Sequence, residues 1–139
     1  MMVLNDIELI RPMQLLNMIK NGIFYVSNLY LSDNYLESND RLLINSLKSK
    51  EDLKVFDLTN DFYDFFNENN KENLRIAITD ISSIYYAMKN NLPVITKCKF
   101  VKNFAQENNV LVYEPSQALK IINIDQEYIN YLNLMIKIA

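Results

Sequence analysis

Three aspartates lie where predicted strands lead into helices, or just inside the helices that follow them: Asp6, Asp33 and Asp80. Carboxylates gathered at the carboxyl edge of a parallel sheet can hold Mg²⁺ or Mn²⁺, because these hard cations prefer oxygen ligands. Two such ions about 4 Å apart can activate water and stabilise the leaving oxygen of a phosphodiester. The competing interpretation is structural, since most aspartates near helix starts are caps or solvated partners of the helix dipole.

The residue types narrow the chemistry that this chain can perform. It has no histidine, a single cysteine, Cys98, and a single glycine, Gly22. Catalysis would therefore depend on carboxylates, lysine, tyrosine, hydroxyls or the thiol, and without a histidine partner a nucleophilic Cys98 is disfavoured. One glycine excludes a glycine-rich phosphate loop.

Length and charge set further limits. With 139 residues, of which 50% are hydrophobic, the chain is long enough for one domain with a real core. The net charge of -3 provides no global attraction to phosphate backbones, so nucleic-acid binding would need a local basic patch or bound cations. A lone cysteine forms no internal disulfide, and no apolar run reaches the roughly 20 residues that cross a bilayer. We therefore expect a cytoplasmic protein without a membrane partner.

The stretch from 74 to 99 contains the elements that must position Asp80. Its apolar residues recur at the spacing of one buried helical face, which predicts a helix that opens at Asp80, with Thr79 as its N-cap, and ends at 90–91. Residues 92–96 predict a short strand that is buried on both faces, as parallel strands are. Three residues follow the carboxyl end of this strand: Lys97, Cys98 and Lys99.

The remaining patterns predict strands and helices in alternation. Strands are expected at 2–10, 23–26, 53–57 and 110–113, and further helices at 12–19, 29–36, 40–49, 60–66, 100–105, 115–122 and 125–139, with an exposed loop at 67–73. This order predicts an α/β fold, a three-layer Rossmann-like sandwich with a mainly parallel sheet and helices on both faces. We expect a single domain spanning 1–139, in which 125–139 is a C-terminal helix.

Two apolar features have alternative interpretations. The C-terminal helix has generous apolar surface, so it either packs across the domain or forms a partner interface. The aromatic residues Tyr85-Tyr86 and those from Phe62 to Phe66 could stack on unpaired bases. Their helical spacing favours packing in the core.

The order of these motifs resembles the PIN-domain family of metal-dependent nucleases, which includes the ribonuclease toxins of bacterial toxin-antitoxin pairs. The resemblance extends to about Ile122, and its most specific portion is TDISSIYYAMKNNLPVITKCKFVKNFAQENNVLVYEP. In that family an acid opens a helix, a strand then ends in threonine followed by acidic residues, and a further helix leads to a final strand. Asp80 matches the helix acid and Thr96 the end of the strand.

The N-terminal match supplies the other family positions. Asp6 stands where the family has its first metal ligand, and Glu8 replaces the asparagine expected two residues later. Asp33 matches the acid on the second helix, with Glu37 as the alternative if the register slips. The resemblance thus implies a catalytic and metal-binding set of Asp6, Asp33 and Asp80.

The chain departs from the family after the threonine-ended strand. There the family places its fourth acid, whereas this chain has Lys97-Cys98-Lys99 with Cys98 at the acidic position. A thiol is a soft ligand and a poor substitute for a carboxylate on Mg²⁺. We predict that Lys97 or Lys99 reaches into the acidic cluster and neutralises an aspartate in place of the missing cation; the alternative is that both lysines are solvated.

The resemblance implies one function and leaves one alternative. The chain is expected to be a PIN-like endoribonuclease, related to toxin-antitoxin toxins, with an incomplete acidic site and weak or lost activity. If active it would use Mg²⁺ or Mn²⁺ on single-stranded RNA; if inactive it would need no cofactor. The alternative is a non-catalytic PIN-like module that acts through RNA, through an antitoxin-like protein or as a homodimer.

Overall fold

The computed structural model describes residues 1–32, 36–70 and 74–138. Five strands are formed in this part of the chain: β1 (Met2–Leu4), β2 (Phe24–Ser27), β3 (Leu53–Phe56), β4 (Val94–Ile95) and β5 (Val112–Tyr113). The helices are α1 (Ile10–Leu15), α2 (Ser38–Ser49), α3 (Asn60–Asn69), α4 (Ile78–Asn90), α5 (Lys99–Glu107), α6 (Pro115–Ile121) and α7 (Gln126–Ile138). Short 3-10 turns occupy Ile7–Leu9 and Asn28–Leu31. Within the described ranges, no helix has the length and apolar character needed to cross a membrane.

The strands form one sheet in the order β3-β2-β1-β4-β5, and every neighbouring pair is parallel. Strands β2 and β3 are added on one side of β1, and β4 and β5 are added on its other side. The crevice at the carboxyl ends of β1 and β4 is therefore the topological switch point, where open α/β sheets bind their ligands.

Helices cover both faces of the sheet. One apolar core joins the sheet to α1, α2, α6 and α7, and the other joins it to α3, α4 and α5. Alternation along the strands divides their side chains between these cores, since Leu4 and Phe24 enter the first and Val3 enters the second. The predicted three-layer α/β fold is confirmed, and the described sheet is wholly parallel.

The strand and helix bounds correct several local predictions. The first strand ends at Leu4, well short of residue 10. The helix predicted at 12–19 is α1, which ends earlier because Asn17 takes the left-handed conformation with φ of 56°. The chain then continues irregularly, yet Met18 and Ile19 remain buried in the core.

The segment after β2 differs most from prediction. A helix was expected over 29–36; among the described residues of this segment, a 3-10 turn forms at Asn28–Leu31 and Ser32 is extended. The Ser27 hydroxyl accepts the Leu29 backbone N–H at 3.3 Å and fixes this turn. Residues 33–35 lie outside the described residues. In the loop predicted at 67–73, α3 continues through Asn69, and 71–73 are again outside the description.

Candidate acidic site at the carboxyl edge of the sheet

Asp6 lies two residues beyond β1, at the switch point, and its side chain is buried, with 7% exposed. The Thr96 hydroxyl donates to Oδ1 of Asp6 at 2.6 Å, and the Lys97 backbone N–H donates to Oδ2 at 2.7 Å. Both donors come from the segment that follows β4. The buried carboxylate is thus held by two charge-assisted hydrogen bonds that join the ends of the two central strands.

Asp80 is the third residue of α4, one turn inside its start. Its Oδ2 accepts the backbone N–H of Ala77 at 2.8 Å, so the carboxylate satisfies one of the amides that a helix start leaves unpaired. Ala77 is the N-cap residue, and the prediction that Thr79 caps this helix is wrong because Thr79 lies inside the first turn and is buried. The position of Asp80 also suits the positive end of the helix dipole.

Asn5 links the two aspartates. Its side-chain amide donates to Oδ1 of Asp80 at 2.9 Å, while the next residue along the chain is Asp6. Its backbone N–H donates to the carbonyl of Ile95 at 3.1 Å, and its own carbonyl accepts the Tyr30 hydroxyl at 2.6 Å. Asn5 therefore connects β1, β4, α4 and the turn after β2 at a single point.

Sequence reasoning missed the roles of Asn5 and Tyr30. The available signal for Asn5 was a polar residue placed directly after an apolar strand and before an acid. Tyr30 gave no such signal, because a single aromatic in an apolar run is usually a core residue. Burial is the main cause that raises the pKa of the Tyr30 phenol above its ordinary value, and the negative charge of Asp80 adds to it. The hydroxyl therefore stays protonated and acts as a donor.

A chain of buried hydroxyls fixes the start of α4 against β2. The Ser82 hydroxyl donates to the carbonyl of Thr79 at 2.6 Å, and the Ser27 hydroxyl lies 2.8 Å from that of Ser82. With Ser82 donating to the carbonyl, Ser27 donates to Ser82. These contacts satisfy polar groups that would be costly to bury alone, and they hold the turn that carries Asp80 in place.

Glu8 lies two residues after Asp6, in the 3-10 turn that follows β1. Although much of its side chain is exposed, partial desolvation raises the pKa of its carboxyl above the ordinary value, and the negative charges of Asp6 and Asp80 raise it further. The nearby charge of Lys97 acts in the opposite direction.

The Lys97-Cys98-Lys99 segment contacts this site through its backbone. Lys97 donates its N–H to Asp6, and Cys98 donates its N–H to the Thr96 hydroxyl at 3.1 Å. The side chains of all three residues are exposed. Neither Lys97 nor Lys99 forms an ion pair with a described acid. The prediction that one of them neutralises Asp6 or Asp80 by direct contact is therefore wrong.

The described part of the acidic site supplies oxygen ligands of the kind that hard cations prefer. Each oxygen of Asp6 and of Asp80 accepts one hydrogen bond, and carboxylate oxygens have lone pairs for more than one partner. Among the residues that the structure describes, no group of three or more acidic, cysteine or histidine side chains is placed to hold a metal ion. Asp33, the third predicted ligand, lies outside the described residues.

Comparison with known proteins finds no matching family model, no matching curated protein and no matching solved structure.

Proposed function

We propose that this chain is a PIN-like domain and a Mg²⁺- or Mn²⁺-dependent endoribonuclease of low activity. The observation that carries the proposal is the Asn5 side-chain contact to Asp80, which brings the helix acid beside Asp6 at the switch point of the sheet. The sequence resemblance assigns these same two residues as metal ligands. Single-stranded RNA is the substrate class that the resemblance implies.

The residues present have defined tasks in this proposal. Asp6 and Asp80 would hold the cation, and Asp33 is the third ligand that the resemblance implies. When bound, the cation supplies an activated water and stabilises charge on the phosphate oxygens. Thr96 and Asn5 hold the two carboxylates in fixed orientations by hydrogen bonds at 2.6 and 2.9 Å, so the ligands need little rearrangement.

The same geometry supports low activity. Asp6 already accepts two short hydrogen bonds, and each donor reduces the negative charge that the carboxylate can offer to a cation. The positive charge of Lys97 opposes the rise in the pKa of Glu8. At the family's fourth acidic position, the exposed thiol of Cys98 is a poor ligand for either metal.

Cleavage of a labelled single-stranded RNA in the presence of Mn²⁺ tests the proposal. We expect slow cleavage by the natural protein that EDTA abolishes and that Asp80→Asn removes. Asp64→Asn, an equal charge change at an exposed position on α3, is the matched control and should cleave like the natural protein. Cys98→Asp restores an acid at the family position and should cleave faster. No cleavage by any variant, or equal cleavage by Asp80→Asn, would refute the enzyme proposal.

A second candidate function is a non-catalytic module that self-associates through α7. On this helix Tyr128, Tyr131 and Leu134 recur every three residues with 46%, 47% and 55% of their surface exposed. The next residues, Met135 and Ile136, line an apolar groove of about 580 Å³ between α7, α1 and α2. Because one helix provides both a protruding apolar row and a groove wall, two copies can pair by exchanging the same surface.

Light scattering distinguishes this candidate from a monomeric enzyme. Deleting α7 would uncover the core, because Ile129 and Leu132 are buried, so a point variant is the better test. We expect the natural protein to be a dimer and Leu134→Glu to be a folded monomer. Leu111→Glu, at an exposed leucine beside β5, should leave the dimer intact. A monomeric natural protein would refute self-association.

A further inference from the structure

An open recess of about 740 Å³ lies at the outer edge of the sheet, beside β3 and the amino end of that strand. The recess extends along the whole of β3 and reaches Tyr86 on α4, the helix whose first turn carries Asp80. Its aromatic lining consists of Tyr25, Phe56 and Tyr86, and its basic lining consists of Lys48, Lys50 and Lys54. None of the acidic-site residues lines it, so any function of this recess is separate from the proposed metal site.

The aromatic lining presents ring surface to solvent. Tyr86 stacks on the buried Phe56 with ring centroids 4.0 Å apart and an angle of 12° between planes, and Tyr25 lies 5.8 Å from Tyr86. Tyr25 and Tyr86 are both half-buried. The neighbouring Tyr85, by contrast, is buried in the core, so of this tyrosine pair only Tyr86 is available for stacking on a ligand.

Three lysines give the recess a net positive charge. Lys48, Lys50 and Lys54 are exposed and form no ion pair with any acid in the part of the chain that is described. Glu51 and Asp52 also line the recess, which leaves a net charge of +1 there in a chain whose net charge is -3. The local charge thus has the opposite sign from that of the whole molecule.

Lys54 connects the charge to the rings. It is the register partner of Tyr25 in the β2–β3 pair, and its Nζ lies 5.5 Å from the centroid of that ring. A ligand that places a planar group against the tyrosines and an anion between the lysines would match both parts of the recess. A nucleotide has this chemistry, because every base has a π face and its phosphate is an anion that lysine binds.

We propose that this recess binds a nucleotide unit of single-stranded nucleic acid, with the base on Tyr25 and Tyr86 and the phosphate among Lys48, Lys50 and Lys54. The site does not depend on cleavage at Asp6 and Asp80, and a non-catalytic module would use it equally. In an active ribonuclease it would anchor the strand away from the metal, on the same face of the sheet that α4 covers.

Fluorescence anisotropy with 5′-fluorescein-labelled deca-uridine tests the site. Measurements in EDTA on the Asp80→Asn protein prevent cleavage and keep the result independent of the proposed nuclease activity. We expect Lys50→Gln/Lys54→Gln to weaken binding about tenfold and to reduce the slope of log affinity against log salt by about 0.7, the value for one phosphate contact to a single strand. Tyr86→Leu, which keeps apolar volume under Phe56, should weaken binding about fivefold or more.

The control removes the same charge elsewhere. Lys120→Gln/Lys137→Gln changes two exposed lysines on α6 and α7 and should leave the affinity and the salt slope unchanged. Equal weakening by both double variants would show a general charge effect and overturn the proposal. No binding of deca-uridine at low salt, or unchanged binding by the Lys50→Gln/Lys54→Gln protein, would overturn it as well.

The source of the nucleotide is distinguished by competition. Uridine monophosphate and uridine oligomers of two, five and ten nucleotides are compared as competitors of the labelled strand. Affinity that rises with length supports a strand passing through the recess. Equal competition by the mononucleotide and the oligomers assigns the recess to free nucleotides and overturns the strand proposal.

Discussion

Replacing Thr96 by valine tests whether the hydrogen bond to Asp6 organises the carboxyl edge of the sheet. Valine has nearly the same shape and differs mainly in lacking the hydroxyl, so packing at this buried position, of which 1% is exposed, should change little. The lost interaction is a 2.6 Å hydrogen bond to a buried carboxylate. Hydrogen bonds to charged groups contribute about 1.5–3 kcal/mol.

We expect Thr96→Val to lower the free energy of unfolding by about 2 kcal/mol. The Cys98 N–H loses its acceptor as well, and because Cys98 is exposed we expect water to replace this bond at small cost. With an urea m-value of about 1–3 kcal/mol/M, the unfolding midpoint should fall by about 1 M. Equilibrium urea unfolding followed by circular dichroism measures this shift.

Thr96→Ser is the matched control. It keeps the hydroxyl and removes one buried methyl group, which costs about 1 kcal/mol. The valine variant should therefore be the less stable of the two. In the Asp6→Asn background the cost of Thr96→Val should shrink by about 1.5 kcal/mol, because the charged acceptor is gone.

Two results would refute this reasoning. If Thr96→Val is as stable as the natural protein, the hydrogen bond to Asp6 contributes nothing net. If the effects of Thr96→Val and Asp6→Asn are additive, the two side chains do not act as a pair, and another cause must explain any loss of stability.

Substitutions at three further positions test separate features. Glu8→Gln should stabilise the protein more at pH 7 than at pH 3.5. The raised pKa means that the folded state holds the Glu8 proton more tightly than the unfolded state, so the stability that protonated Glu8 contributes is lost as pH rises above 4.5. Equal effects of the substitution on urea unfolding at both pH values would contradict this prediction. Asn91, at φ of 54° after α4, should tolerate Gly, whereas Ala should cost about 1 kcal/mol; equal thermal stability of the two variants would exclude left-handed strain. Arg11→Met breaks an exposed ion pair with Asp40 and should cost less than about 1 kcal/mol; a larger loss in urea would show that the pair is structural.

Much of the architecture could be predicted because it depends on local patterns. The helix over 40–49 and the strand over 53–57 match α2 and β3, and the element around 92–96 contains β4, since apolar spacing reports which side chains face a core. The alternation of strands and helices was enough to predict a parallel three-layer sandwich. The predicted starts of helices were less accurate, because the N-cap of α4 depends on the backbone geometry at Ala77 and on the side chain of Asp80.

The acidic site was predictable only in part. The sequence placed Asp6 and Asp80 at an edge of the sheet, but it did not reveal that Asn5 contacts one acid while adjoining the other. The predicted role for the lysine side chains also failed, because the contact to Asp6 is made by the backbone N–H of Lys97, a group that every residue except proline has.

The sequence by itself determined the types of residue available for chemistry and the order of strands and helices. Its lack of histidine confines any catalysis to carboxylates and a few other groups, and its periodicity specifies which faces are buried. The tertiary structure decided which residues meet: Asp6 with Thr96 across 90 positions, Asn5 with Asp80 across 75, and the Tyr25 ring with Lys54. Such contacts depend on strand order and register, and these follow from packing the whole chain around one sheet.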